Sequence, residues 1–508
     1  MKRTTLLITV LAIMLLSGIV FASEGTPEDI GLKPSPAHLK WGDRDTEIHS
    51  GNINALSFAT NFNTGDIYAV VNAHTNDDSL IIYKSVDNGE NWSELYTISI
   101  SSMWRTYNAQ IFYTDNDRLA IFARYRNDSD YYNIWLWEAE DSSDVIINDT
   151  WEQVDDADND IDSIYFYDVD YADGYYYVAY LGIDTSYSDS MSIMALTCHE
   201  DSLSWPAGQI LFVDTRIKKS PRISAGANGN VYVTFLEERL QDEEIRVKRS
   251  YNYGSSWLSS QLVSNSTYEL NYLDIAASRD SSYQNVWFTV QYEGAETFGY
   301  YFSEDSCVNT QYGGIFDQNT FGWIPVMGSA ACNPQSGFLT VAYLKDSSTS
   351  QDVYFTWARN AAPDSFYAPL KINQYNATGS LRPFAGNISG NSAIAYAGWG
   401  PQNVYFDYFG STLGIDSKDD NKNTSGFIMP AKSVFSDNIE FSLMLNSSSS
   451  VDIALFDCSG RKVAVFNQYM PEGSNTVKMD LSEFSSGIYL YRAVSGNKTA
   501  SGRLVKIR

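Results

Sequence analysis

The chain is poor in cysteine and histidine, with four of each in 508 residues. So few cysteines exclude a fold framed by disulfides. None of His38, His49, His74 and His199 sits in a nucleophile-elbow context, so Ser-His-Asp chemistry has no visible basis. The adjacent pair Cys198–His199 is too little for a Cys/His metal site. Positive charge is scarce as well: 34 Lys and Arg stand against 62 Asp and Glu, a net charge of −28. That balance argues against nucleic acid and anionic membrane surfaces as partners. Past the N-terminus, no stretch approaches the ~18 apolar residues of a spanning helix, so no transmembrane span is expected in the mature chain. The start itself carries Lys2 and Arg3, an apolar run over 6–20 and small Ala22. It reads as a signal peptide over residues 1–22, with no cysteine following for a lipid anchor.

What the chain has in quantity is aromatic residues, 14% with 36 Tyr, and a repeat. Short apolar runs begin at Gly65, Asp117, Gly174, Gly229, Gln284, Gly337 and Ser392, at intervals of 52, 57, 55, 55, 53 and 55 residues. Each run has a strand-like segment before it and two after it, separated by polar turns. Four short strands per unit make one propeller blade. The fold class is therefore all-β: a seven-bladed β-propeller over 38–410, followed by a small C-terminal immunoglobulin-like β-sandwich. The seventh unit lacks a fourth strand, which residues 38–48 are expected to supply, closing the ring and removing its edges. The competing count is six blades plus a stray strand pair. Residues 411–432 lack periodicity and read as a linker, and 433–508 alternate apolar and polar residues as a sandwich does.

Two stretches share a turn chemistry. Residues 85–92 place Ser85, Asp87, Gly89 and Trp92, and residues 250–257 place Ser250, Asn252, Gly254 and Trp257. The Asx side chain can accept bonds from the turn's own backbone, glycine takes a positive φ, and the tryptophan anchors the next strand. The pattern resembles the Asp-box of sialidase-type (BNR) propellers, where it is a structural staple away from the active site. That family has six blades, one fewer than the repeat predicts here.

A second resemblance covers about 436–508. Asp457, Gly460, Arg461, Val463, Gly473 and Asn475 precede Gly487, Tyr489, Tyr491 and Arg492, and Lys506 lies near the end. The order resembles the C-terminal sorting domain of the type IX (Por) secretion system. It implies type IX secretion machinery as a partner, and a secreted or outer-cell-surface protein.

Candidate chemistry lies where the innermost strands enter the channel. Three entrances carry arginine: Arg105 (with Trp104 and Tyr107), Arg222 and Arg382. Converging guanidiniums would bind a carboxylate, and the sialidase resemblance implies such a triad. The alternative is that each arginine pairs with a neighbouring blade's carboxylate and holds the ring together. Asp162, Glu269, Asp274, Tyr268 and Tyr272 are the acids and tyrosines placed for glycoside hydrolysis. Trp104, Trp323, Tyr107 and Tyr272 are aromatics able to stack on a ligand. Asp156, Asp158, Asp160 and Asp162 alternate as Ca²⁺-binding oxygens can, against the reading of a solvated acidic loop. No other cofactor is expected. Cys307 and Cys332 are the candidate disulfide, worth about 3 kcal/mol by chain entropy, with Cys198 and Cys458 as buried thiols. The leading functional reading is a secreted or surface binder of glycan or protein ligands. A sialidase-like hydrolase or lyase is the alternative.

Overall fold

The computed structural model describes residues 40–506, apart from 42–44, 74–78, 100–104, 127–131, 155–160, 185–189, 203, 215, 240–241, 321, 348–349, 374, 376, 378–380, 389–390, 399–402, 411–427, 431–433, 436–437, 446–447, 458–460, 472, 483 and 496–497. The signal-peptide expectation, the Asp156–Asp160 run, Cys458 and Trp104 lie outside the described residues.

Six antiparallel sheets each take four consecutive strands: blades 1 to 6, over 53–99, 105–153, 161–214, 218–266, 270–318 and 324–371. The seventh combines Phe384–Ile388, Asn391–Ala397 and Val404–Gly410 with the N-terminal strands Lys40–Trp41 and Thr46–His49, both paired to Val404–Gly410. The ring is thus a seven-bladed propeller closed by its own N-terminus. Within a blade the second strand is the most buried: Ile67–Ala73 and Val231–Glu238 are covered on both faces and are mainly apolar. The fourth strand is the outermost and the most polar, as in Ser93–Ser99.

Seven hydrophobic clusters fill the seven interfaces between adjacent blades. Polar staples run between the first strands at one repeated position. Ser57 accepts from the Ile111 amide (2.8 Å), Gln110 from Val169 (3.1 Å), Asp168 from Ile223 (3.0 Å), Asp274 from Ala330 (2.7 Å) and Ser329 from Ala385 (2.8 Å). Blade 4 inverts the polarity, because Arg222 Nε donates to the Leu273 carbonyl at 3.1 Å. Each bond satisfies a buried donor or acceptor that no ladder partner reaches.

The two Ser-x-Asx turns close the third-to-fourth-strand hairpins of blades 1 and 4. In each, the serine Oγ accepts from the glycine amide and the Asx Oδ1 from the amide four residues on. Residues 88 and 89 are both left-handed, as are 253 and 254. A third copy, in blade 5, runs Ser303, Asp305, Cys307 and Asn309 with the same bonds. Here Cys307 takes the glycine position at φ 62. The turns tie blades together: carbonyls of Gly89, Gly254 and Ser306 accept from Thr46, Gln209 and Arg249 of the preceding blade. A Cβ on Gly89 would stand 2.2 Å from the Phe406 ring, and one on Gly254 2.2 Å from Thr197 Oγ1.

The disulfide expectation is overturned: Cys198, Cys307 and Cys332 are buried free thiols. Cys307 packs in the blade 4/5 core and Cys332, ending blade 6's first strand, in the blade 5/6 core, so each is held by a different interface. Burial pushes both thiols up, Cys332 to about 12.

The described residues up to 410 form one compact unit and those from 428 onward a second. The second is a sandwich of a three-stranded and a five-stranded sheet around a single core. It takes in Ile428–Pro430, paired with Asn438–Leu445, so the sandwich begins inside the stretch expected as linker. Tyr489 and Tyr491 are core residues, Arg492 and Gly487 are exposed, and Lys506 is buried. The Lys506 ammonium donates to the carbonyls of Leu481 (2.7 Å), Ser482 (3.0 Å) and Phe484 (2.8 Å).

Candidate functional site: the entrance of the propeller channel

First strands of all seven blades line a central cavity of about 670 Å³. Near its entrance, the first strands of blades 2, 4, 5 and 6 carry a bulge immediately before the staple position. In blades 2, 4, 5 and 6 the bulge residue is left-handed although it is not glycine: Asn108 (φ 55), Ser220 (φ 50), Tyr272 (φ 52) and Met327 (φ 51). Such backbone costs of order 1 kcal/mol or more per residue and recurs at functional sites. All four residues line the cavity.

Two residues after each bulge come Gln110, Arg222, Asp274 and Ser329. Arg222 Nη1 lies 3.5 Å from Asp168 Oδ1, and its Nε 3.7 Å from Asp274 Oδ1. Arg382 Nη2 lies 2.5 Å from Asp274 Oδ2. The order Asp168, Arg222, Asp274, Arg382 is an alternating string of charges from blades 3, 4, 5 and 7, with the Arg222 guanidinium 4.6 Å above the Phe166 ring. Burial raises the Asp168 carboxyl above the usual range; Asp274 adds to this, and Arg222 opposes it. Burial lowers Arg382 to about 10, and the neighbouring Arg222 cation acts in the same direction. At the far end of the channel a second pair forms, Arg279 Nη2 to Asp170 Oδ1 at 2.5 Å.

Of the expected site residues, Arg222, Arg382, Asp274 and Tyr272 meet in the cavity wall. Arg105 and Tyr107 begin blade 2's first strand, but their side chains are outside the described residues, as is that of Asp162. Glu269 is exposed beside Lys219 (3.8 Å), Tyr268 is exposed, and Trp323 is partly buried outside the cavity wall. Asp168 and Phe166, with bulge residues Asn108, Ser220 and Met327, were not legible as site residues. Asp168 stands at the staple position and the others two residues ahead of it, a spacing visible only once the blades are in register. Among the described residues no group of three or more His, Cys, Asp and Glu converges as a metal site.

Solved structures that superimpose on parts of the chain include an α-L-arabinanase of Penicillium chrysogenum complexed with arabinobiose, 12% identical, with TM-score 0.42, covering 72% of this chain and 97% of that one. A protein of unknown function from Dyadobacter fermentans is 10% identical, with TM-score 0.45, covering 74% and 99%. A Hadza microbial sialidase is also 10% identical, with TM-score 0.44, covering 67% and 72%. No curated protein matches the sequence. Residues 429–507 match the secretion system C-terminal sorting domain. By that domain the chain is a substrate of type IX secretion, and it is a secreted or outer-surface protein.

Proposed function

We propose that this protein is an extracellular binder that takes a glycan or protein ligand at the entrance of the propeller channel. The observation that carries the reading is the recurrence of a left-handed, non-glycine bulge in four first strands, each presenting a side chain to one cavity. A ring needs no such backbone to close, since blades 1 and 7 have no left-handed residue in the described part of their first strands. Asn108 and Ser220 supply hydrogen-bonding groups and Tyr272 and Met327 supply apolar surface, beside the mutually paired Asp168, Arg222, Asp274 and Arg382. Few convergent polar groups in a mostly apolar concavity is the usual composition of a ligand site.

Binding is favoured over hydrolysis because the acids are engaged. Asp168 accepts from Gln110 and the Ile223 amide, and Asp274 from the Ala330 amide with Arg382 beside it. A hydrolase acid must exchange its proton with the substrate.

The test is a glycan and peptide array probed with the full chain and with Tyr272→Gly/Met327→Gly, glycine being at ease in both backbones. The expected outcome is a ligand bound by the parent, about tenfold weaker binding by the variant, and no turnover of aryl glycosides. Equal binding by parent and variant would remove the channel entrance as the site, and turnover abolished by Asp168→Asn would establish the hydrolase instead.

A further inference from the structure

The three Ser-x-Asx turns provide an internal control. Their first left-handed position holds Asn88 in blade 1 and Ser306 in blade 5, small residues suited to it. Blade 4 places Tyr253 there, at φ 56. The hydrogen bonds of the turn are the same in all three, so the staple does not require the aromatic ring. Tyr253 is 36% exposed and its ring lies over Gly229, where a Cβ would come within 2.7 Å of it.

The ring does not stand alone. Tyr175 of blade 3 lies alongside it, with ring centroids 4.8 Å apart and planes tilted by 31°. His199 stands edge-on to Tyr175 at 4.6 Å. All of these residues sit in or beside first-to-second or third-to-fourth-strand hairpins, at the end of the propeller opposite the channel entrance. Acceptors border the rings: Asp201 Oδ2 is 3.5 Å from His199 Nδ1, and a Cβ on Gly174 would be 3.3 Å from both Glu200 Oε1 and His199 Nε2. Asp173 and Asn252 are exposed in the same turns.

We propose that Tyr175, His199 and Tyr253 form a second binding site, a platform for a neutral sugar ring. A pyranoside has an apolar face that stacks on an aromatic ring and equatorial hydroxyls that donate to carboxylates. The chemistry selects against uronic and sialic acids, whose charge would face Asp173, Glu200 and Asp201. The strained backbone at Tyr253 holds the ring at the surface, as strain does where a side chain must be aimed rather than merely packed. The site is independent of the channel entrance, and neither proposal needs the other.

The experiment is titration calorimetry of the full chain with maltohexaose, cellohexaose, xylohexaose and mannohexaose, and with oligogalacturonate as the charged counterpart. Tyr253→Asn restores the blade 1 residue to the turn and so keeps the fold, with melting temperature unchanged or slightly higher. It is expected to weaken binding of the recognised neutral oligosaccharide at least about tenfold. Tyr272→Gly at the channel entrance is expected to leave this binding unchanged. Absence of binding to every neutral oligosaccharide at millimolar concentration, or equal binding by Tyr253→Asn and the parent, overturns the platform. Tighter binding of oligogalacturonate than of the neutral panel overturns the assigned sugar class.

Discussion

The propeller and the C-terminal sandwich solve the same problem, an all-β chain with edges to cover, by opposite means. The propeller spreads its apolar core over seven interfaces between blades and ties six of them with a side-chain hydrogen bond at one repeated height. The sandwich has one core, and its Lys506 ammonium is tied into three carbonyls. Their charges differ too: of 34 basic and 62 acidic residues, nine and seven fall in 429–508, leaving 25 against 55 in the rest. The acidic excess belongs to the propeller side alone, while the sorting domain is close to neutral. Distributed stability tolerates the loss of one staple; a single core tolerates the loss of a buried tie less well.

Four changes test that contrast, from the largest expected effect to the smallest. Gly89→Ala drives a Cβ into Phe406 at a φ of 92 and strikes the blade 7/1 seam where the ring closes. It is expected to cost about 3 kcal/mol in chemical unfolding of the propeller. Lys506→Met removes the ammonium that three buried or partly buried carbonyls share. Loss of about 2 kcal/mol, confined to the sandwich transition in calorimetry of the full chain, is expected, together with reduced export. A shift of the propeller transition instead would break the comparison. Ser329→Ala removes one staple of the ring and strands the Ala385 amide, for about 1 kcal/mol. The double variant with Ser57→Ala should be additive, because the two staples share no partner.

The smallest effect concerns acid. Burial opposes it, but hydrogen bonds from Asn309, Ser303 and the Val308 amide hold Asp305 below the ordinary carboxylate range. A carboxylate depressed in the folded state contributes stability that is present above its unfolded pKa and lost as pH falls through the folded one. Asp305→Asn, the residue type that blade 4 uses at Asn252, should therefore flatten the acid limb of a stability–pH curve below about pH 4 by roughly 0.5 kcal/mol. An unchanged curve would mean that the turn's charge contributes nothing.

The architecture was legible in the repeat because each blade must present one apolar second strand at a fixed pitch. Residues 38–48 were legible as the missing strand by counting. The third turn was not, because Cys307 occupies the position where a glycine signals the motif, and the same cysteine read as half of a disulfide. In sequence nothing distinguishes a thiol that fills a left-handed turn position from one that bridges. The arginines of the channel were visible as residues, but their partners were not: Asp168 lies 54 positions from Arg222, and Arg382 meets Asp274 across more than a hundred.

By itself, the sequence determined the number of blades, the address and the sign of each region's charge, because period, sorting motif and composition are local or additive properties. Only the tertiary structure decided which charges neutralise one another in the channel, which strands carry left-handed bulges, and which tyrosines share a surface. Those properties depend on the rotation of each blade relative to the next, set by packing across interfaces whose two sides come from residues about fifty positions apart.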